Sequence, residues 1–302
     1  LDVSDSALIL ATRGSGLGGD LLVTADNINF TNTNIAAEAS GQGDAGVIEM
    51  RGTTLTLEDL RIDASVGGAG IGGDILLQGD AITLTDPNFN ITATGPGNAG
   101  DLTTRGESLI IQGTGSIVGT ASGTGEGAQI TLNNDEITIQ DVAITSSARG
   151  DGLGGTINLT APTSVTLINS NLISETRGAG FGGAISITTP ELSLSGTATL
   201  NVDATGTGDA GQINLDTTTT VLTGNSRLDL TASGSGNAGT LNIETDDFTL
   251  SGSAQIQGSV SRSATGGTID ITADTIAITE RSAIVSNTSG TGAGGEIELN
   301  AN

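Results

Sequence analysis

A glycine-rich segment returns along the whole chain at an almost constant spacing, and this repeat limits the fold more than any other feature. It reads Gly-Ser-Gly-Leu-Gly-Gly at 14–19, Gly-Gln-Gly-Asp-Ala-Gly at 41–46 and Gly-Ala-Gly-Ile-Gly-Gly at 68–73. Its last small residue marks successive periods at Gly19, Gly46, Gly73, Gly100, Ala128, Gly155, Gly183, Gly211, Gly239, Gly267 and Gly295. The spacing between successive markers varies by no more than one residue, so no insertion separates one period from the next.

Three short apolar segments occupy fixed places in each period. The first lies two and four residues after the marker, as in Leu21/Val23. The second begins nine or ten residues after the marker, as at Ile28, and the third begins sixteen or seventeen after it, as at Ile35. Thr104 is the one polar residue at an apolar position of the first segment. The third segment starts at the earlier place in every shorter period and at the later place in every longer one, so we expect the extra residue in the turn after the second segment.

Within each segment, apolar residues alternate with Thr, Ser, Asn or Asp, which is the pattern of a half-buried strand. Three strands this short form no sheet within one period, so each must pair in parallel with its equivalent one period later. The sequence therefore predicts an all-β, right-handed parallel β-helix with three short strands per 27–28-residue coil, about 11 coils, and three sheets around an aliphatic core. An antiparallel sandwich would not keep identical corners at fixed spacing.

We expect residues 1–302 to form one uncapped shaft, a segment of a longer solenoid. Leu1 and Val3 fit a second strand, so the chain starts in mid-coil, and it stops at Asn302 just after a first strand. Neither end carries a polar cap of the kind that closes solenoids.

The composition excludes several functional classes. The chain has no Cys and no His, which removes thiol and imidazole catalysis, haem ligation and ordinary zinc sites. Its net charge of −25 and the absence of lysine argue against nucleic acid or an anionic membrane surface as a partner. No apolar run approaches the length of a membrane span, so we expect no membrane insertion.

The remaining polar residues offer few candidate sites. The acidic charge makes calcium the one cofactor to consider, and Asp44 and Asp209 share a corner position, but they lie six coils apart. Arg149 and Arg177 occupy one corner position in neighbouring coils, as Arg13 does at the far end, and we expect solvated corner residues rather than a ligand-binding edge. The sequence assigns no catalytic, cofactor-binding or metal-binding residue.

A polysaccharide-binding or polysaccharide-degrading β-helix is one alternative function. Adjacent carboxylates are present at Asp135/Glu136 and Asp246/Asp247, and acid–base pairs of this kind cleave glycosides. Neighbours along a strand face opposite sides, so we expect neither pair to converge. Trp and Tyr, which often form platforms for sugars, are absent.

Ice or crystal-surface binding through a threonine-rich face is a second alternative. The outward position of the second strand carries Thr56, Thr83, Thr138, Thr166 and Thr249, but also Asn29, Ile110, Ser193 and Ala277. This column is too irregular for a lattice match.

The coils resemble those of the filamentous haemagglutinin-like large exoproteins, in particular the cyanobacterial forms. The resemblance is carried by Leu-Ser-Leu-Ser-Gly-Thr-Ala-Thr-Leu at 192–200 followed by Gly-Thr-Gly-Asp-Ala-Gly-Gln-Ile-Asn-Leu at 206–215, and it extends along the whole chain as a pattern. It implies two-partner secretion through an outer-membrane pore and a place on the bacterial cell surface as an adhesin or fibre.

Together these features predict a non-catalytic structural shaft of an extracellular fibre or adhesin. A pocket normally interrupts a repeat with a long loop, and no period here deviates by more than one residue. The expected partners are further copies of the rod, end to end or side by side, and a cell-surface or matrix polysaccharide.

Overall fold

The computed structural model describes residues 1–301; Asn302, the last residue of the predicted shaft, lies outside the described residues. These residues form 29 strands and no helix, and hence no helix of a length and hydropathy that would cross a bilayer. The strands are β1 Asp2–Ser4, β2 Ala7–Ile9, β3 Leu21–Thr24, β4 Asn27–Thr31, β5 Asn34–Ala36, β6 Ile48–Arg51, β7 Thr54–Glu58, β8 Arg61–Asp63, β9 Ile75–Gln78, β10 Ala81–Thr85, β11 Asn88–Asn90, β12 Leu102–Gln112, β13 Ser116–Val118, β14 Gln129–Gln140, β15 Ala143–Thr145, β16 Thr156–Thr160, β17 Ser164–Ile168, β18 Asn171–Ile173, β19 Ala184–Ser195, β20 Thr199–Asn201, β21 Gln212–Leu222, β22 Arg227–Asp229, β23 Thr240–Glu244, β24 Asp247–Leu250, β25 Gln255–Gln257, β26 Thr268–Ala273, β27 Thr275–Ile278, β28 Ala283–Val285 and β29 Glu296–Ala301.

Each strand pairs in parallel with its equivalent in the next coil. Ile82 of β10, for example, pairs with Leu55 of β7 on one side and Leu109 of β12 on the other, which are its sequence equivalents one period away. The eleven third strands, from β2 to β28, form one continuous sheet in chain order. The predicted parallel β-helix with three short strands per coil is confirmed.

The first and second strands share one 18-stranded sheet, so the structure has two hydrogen-bonded sheets where the sequence predicted three. In four coils the two strands are continuous, as β12, β14, β19 and β21. Pairing between β12 and β14 runs from Leu102 with Ile130 to Gln112 with Gln140 and crosses the corner at Gly106 and Asn134. In these four coils the first corner is therefore a bend within one continuous strand, whereas in the other coils it separates two strands.

The core is a column of aliphatic side chains with few polar members. Three of the four phenylalanines, Phe30, Phe89 and Phe248, are fully buried in it. Thr104 is buried as its position predicts, and its hydroxyl donates to Asn134 Oδ1 at 2.7 Å in the next coil. Thr220 is buried at an apolar position of the second segment, and its hydroxyl lies 2.6 Å from that of Thr217.

The corner after the second strand has two forms. The short form places a single Asp or Asn at positive φ, at Asp5, Asn32, Asp59, Asp86, Asp141 and Asn169. The long form has one residue more and uses glycine at positive φ, at Gly113, Gly196, Gly224 and Gly252, or the pair Glu280 and Arg281. Asp and Asn tolerate the left-handed region better than other non-glycine residues, and glycine enters it without strain.

The predicted position of the extra residue is confirmed in all the longer coils except the one that begins at Gly155, where it is wrong. There Val165 pairs with Ile137 in the preceding coil and with Leu192 in the following coil. The step from Ile137 to Val165 is one residue longer than the step from Val165 to Leu192, so the extra residue lies before the second strand. It lies in the stretch 161–163, which contains Pro162.

Close packing of successive coils at the glycine-rich corner explains why its glycines repeat. A Cβ on Gly150 would lie 1.8 Å from the carbonyl oxygen of Gly123, and one on Gly152 would lie 1.8 Å from that of Gly125. Successive coils therefore meet backbone to backbone along two glycine columns. A ladder of single parallel bridges adjoins them and includes Ala39, Val66 and Ala93.

Candidate functional site

The two acidic pairs lie on the outer surface, at the corner between the first and second strands. Asp135, Glu136, Asp246 and Asp247 are all exposed. The expectation that members of a pair face opposite sides is wrong, because strand alternation is interrupted at this corner: Asn134 faces the core and the next two residues face solvent. Ladder pairing places serines on both sides of Glu136, so no second carboxylate adjoins it within its own column.

The aspartates at the glycine-rich corner accept hydrogen bonds from backbone N–H groups of the next coil. Asp44 Oδ1 accepts the N–H of Ile71 at 2.8 Å, and Asp209 Oδ1 accepts the N–H of Asn237 at 2.7 Å. These carboxylates thus replace missing ladder acceptors where the chain turns. Among residues 1–301 no group of three or more His, Cys, Asp or Glu is placed to hold a metal ion.

Asp101, directly after the glycine-rich corner, also binds a backbone group of the coil that follows it. Its Oδ1 accepts the N–H of Gln129 at 2.9 Å, while its own N–H donates to Asp74 Oδ1 at 3.0 Å. Burial raises the pKa of Asp101, the bond from Gln129 works against that rise, and the charge of Asp74 adds to it.

The threonine column and the arginines lie where the sequence places them. Thr83, Ile110 and Thr138 are adjacent outward residues of the second strands, so an isoleucine interrupts the column. Arg149 and Arg177 are exposed and follow two residues that form bridges in neighbouring coils. Arg177 pairs with Glu175 within its own coil, with Nη2 and Oε1 2.8 Å apart, which makes it a local surface ion pair.

One carboxyl pair was missed by the sequence analysis. Asp203 and Asp229 come from neighbouring coils, and both accept the N–H of Thr231, at 2.9 and 3.2 Å. Burial raises the pKa of Asp203 to about 8, with further contributions from the charge of Asp229 and a hydrogen bond with it. Arg227 forms an ion pair with Asp229 and acts in the opposite direction on Asp203. Asp203 and Asp229 are not one whole coil apart in the sequence, so a comparison of equivalent positions in successive coils does not align them.

A second feature missed by the sequence analysis is a patch on the first strands that carries no charge. We call it the uncharged face and define it by the outward residues of β14, β16 and β19 before the first corner, namely Gln129, Thr131, Asn133, Thr156, Asn158, Thr160, Ala184, Ser186 and Thr188. These residues are ladder partners in three adjacent coils. No charged residue occurs among them.

A cleft borders the uncharged face at each end of its strands. One, of about 420 Å³, lies at the glycine-rich corner and is lined by Leu153, Phe181, Thr156 and Ala184 among others. The other, of about 410 Å³, lies at the first corner and is lined by Pro162, Pro190, neighbouring threonines and Asp216 of the following coil. Phe181 is 59% exposed, unlike the three phenylalanines of the core. Its repeat position contains residues as different as Asp44 and Leu153, so only the structure shows what surrounds it.

The fold defines the protein as a parallel β-solenoid of about 11 coils. Comparison of the chain with protein-family models, with curated proteins and with solved structures finds no match.

Proposed function

We propose that this solenoid is a non-catalytic shaft of an extracellular fibre or adhesin. The observation that carries the proposal is the unbroken register of the eleven third strands, each paired with the next from β2 to β28. A continuous parallel ladder around an aliphatic core makes a stiff rod whose length grows with coil number. The resemblance to filamentous haemagglutinin-like exoproteins supports the same role.

The distribution of polar groups also supports a structural role. The aspartates Asp44, Asp74, Asp101 and Asp209 are engaged with backbone N–H groups of the following coil. The acidic pairs at the first corner are exposed to solvent, and serines rather than a second carboxylate flank Glu136 in its ladder column.

Surface labelling tests the proposal. Antibodies raised against the purified chain should bind intact cells of the organism that makes it, and immunogold microscopy should show the label outside the cell envelope. Label that appears only after the cells are permeabilised would contradict the proposal.

Deleting one coil gives a second test. Removal of residues 47–73 joins Gly46 to Asp74 and should leave all other strands in register, because Ile48 and Ile75 are ladder partners. The rod should shorten by about 4.8 Å, the spacing of neighbouring strands, and surface labelling should persist. Loss of the folded state after this deletion, but not after an exposed point substitution, would show that coils are not interchangeable units.

A further inference from the structure

The uncharged face lies in a strongly acidic protein. The chain has a net charge of −25, yet nine outward residues in three adjacent coils include no ionisable group. Charges resume on the neighbouring coils, with Asp101 and Arg105 on one side and Asp216 on the other. Charged groups also lie at its margins: Glu126 shares a cleft with Gln129 at the glycine-rich corner, and Asp216 lines the cleft with Pro162 and Pro190. A ligand laid along β16 and β19 covers no charged side chain between the two ends of the strands, while polyanions are repelled by the rest of the rod.

The face presents hydroxyl and amide groups at regular spacings. Neighbouring strands lie about 4.8 Å apart, and outward residues along one strand about 7 Å apart. The hydroxyls of Thr160, Ser186 and Thr188 form no hydrogen bond with other side chains or backbone in the part of the chain that is described. Asn158 reaches only Thr156, at 3.5 Å. These groups are available as donors and acceptors to an uncharged, hydroxyl-rich ligand.

Apolar groups border the face at both ends of β16 and β19, whereas the coil of β14 carries Glu126 and Asp135 at these corners. Leu153 and Phe181 occupy the same position in neighbouring coils, where Gly154 N–H donates to the carbonyl oxygen of Phe181 at 2.9 Å, so their side chains adjoin. Pro162 and Pro190 line the cleft at the opposite end. An exposed aromatic ring next to polar groups suits the C–H face of a sugar ring, which is apolar while its edge carries hydroxyls.

The size of the face favours a linear ligand over a second copy of the chain. From Ala184 to Pro190 the strand covers about 20 Å, and three strands cover about 15 Å, which gives roughly 300 Å². A stable protein–protein interface needs roughly 800 Å² from each partner. We propose that the uncharged face binds a neutral polysaccharide, laid along the strands from the Leu153/Phe181 cleft to the Pro162/Pro190 cleft.

The test uses the purified chain, so its outcome is independent of where the shaft is displayed. Isothermal titration with cellohexaose, maltohexaose and mannohexaose, and with hexagalacturonate as the anionic comparison, should give a Kd of about 1 mM or tighter for at least one neutral sugar. Phe181→Ala and Ser186→Asp should each weaken that binding about tenfold or more. Affinity should not change between low and high salt, since no ion pair forms.

Leu17→Ala is the matched control, because Leu17 occupies the same corner position as Phe181 and is 70% exposed, but lies four coils or more from the uncharged face. It should bind as the unsubstituted chain does. Absence of binding to all three neutral hexasaccharides would overturn the proposal, as would tighter binding of hexagalacturonate or binding that Phe181→Ala and Ser186→Asp leave intact. Dimers detected by light scattering and abolished by Ser186→Asp would also overturn it, by showing that the face joins two copies.

Discussion

Asp203 and Asp229, in adjacent coils, accept hydrogen bonds from one and the same backbone N–H, that of Thr231. Asp229 is buried and Asp203 is half-buried, so two carboxylates held on one N–H group repel each other, and Arg227 pairs with Asp229. The pair therefore holds a proton on Asp203, whose pKa rises to about 8 through burial first and the neighbouring carboxyl second.

This pair predicts a pH-dependent stability with a definite sign. Between the ordinary pKa of 3.8 and about 8 the folded protein keeps a proton that the unfolded chain has released. The free energy of unfolding should therefore fall as pH rises through this window. Asp203→Asn, which stays neutral, should raise the thermal midpoint by a few degrees at pH 9, because about 1 kcal/mol corresponds to roughly 2–4 °C. It should have little effect at pH 4.

Scanning calorimetry at the two pH values measures the difference. Asp247→Asn, at an exposed position, serves as the charge-matched control and should alter neither midpoint. An equal gain from Asp203→Asn at pH 4 and pH 9 would exclude the shared proton as its cause.

The glycine columns predict a strong and local penalty for adding a methyl group. Gly150→Ala would place its Cβ 1.8 Å from the carbonyl oxygen of Gly123, so coils must separate at that corner. We expect a loss of about 2–3 kcal/mol. Gly14→Ala, in the same column, meets no atom within 4 Å and should cost less than about 0.5 kcal/mol. Hydrogen exchange of the neighbouring coils locates the effect; similar protection in both variants would contradict close packing as the reason for glycine.

At the short corner after the second strand, we expect glycine and alanine substitutions to differ in their effect on stability. Asp59 has a φ of 49°, a region that costs residues with a Cβ about 1–2 kcal/mol. Asp59→Ala should destabilise by about 1 kcal/mol in urea denaturation, because alanine lacks the local polar contacts that help Asp and Asn there. Asp59→Gly should be neutral within about 0.5 kcal/mol or stabilising. If glycine and alanine cost the same, the aspartate side chain rather than the backbone angle controls this corner.

The buried contact between Thr104 and Asn134 predicts non-additive effects. Thr104→Val removes the 2.7 Å hydrogen bond and leaves the buried amide, whose Nδ2 already has no partner, wholly unsatisfied. We expect a cost of about 1–3 kcal/mol. Adding Asn134→Ala should recover most of it, since Ala161 and Ala273 occupy the same position in other coils. A double-mutant cycle with no coupling would show that the two side chains act independently.

The sequence predicted most of the fold because every coil has the same order of strands and corners. Alternation identified the strands, and the constant period left each strand a single partner, so the register at Ile82, Leu55 and Leu109 follows from spacing alone. The extra residue of the coil from Gly155 was misplaced because the third segment marks only the total length before it, and in this coil the insertion lies at the earlier corner, in the stretch 161–163. The candidate surfaces were not predicted, and the function and location of the shaft stay predictions.

The sequence by itself determined the period, the strands, the aliphatic core and the places of the glycine-rich corners, because each of these depends on residues one coil apart. The tertiary structure alone decided where the exposed groups meet. Strand alternation ends at the first corner, so Asp135 and Glu136 both face solvent, and the path of the chain after the third strand brings Asp203 to Asp229. Stacking likewise places Phe181 beside the uncharged face. Side-chain proximity across a bend depends on backbone direction, which the pattern of apolar residues does not specify.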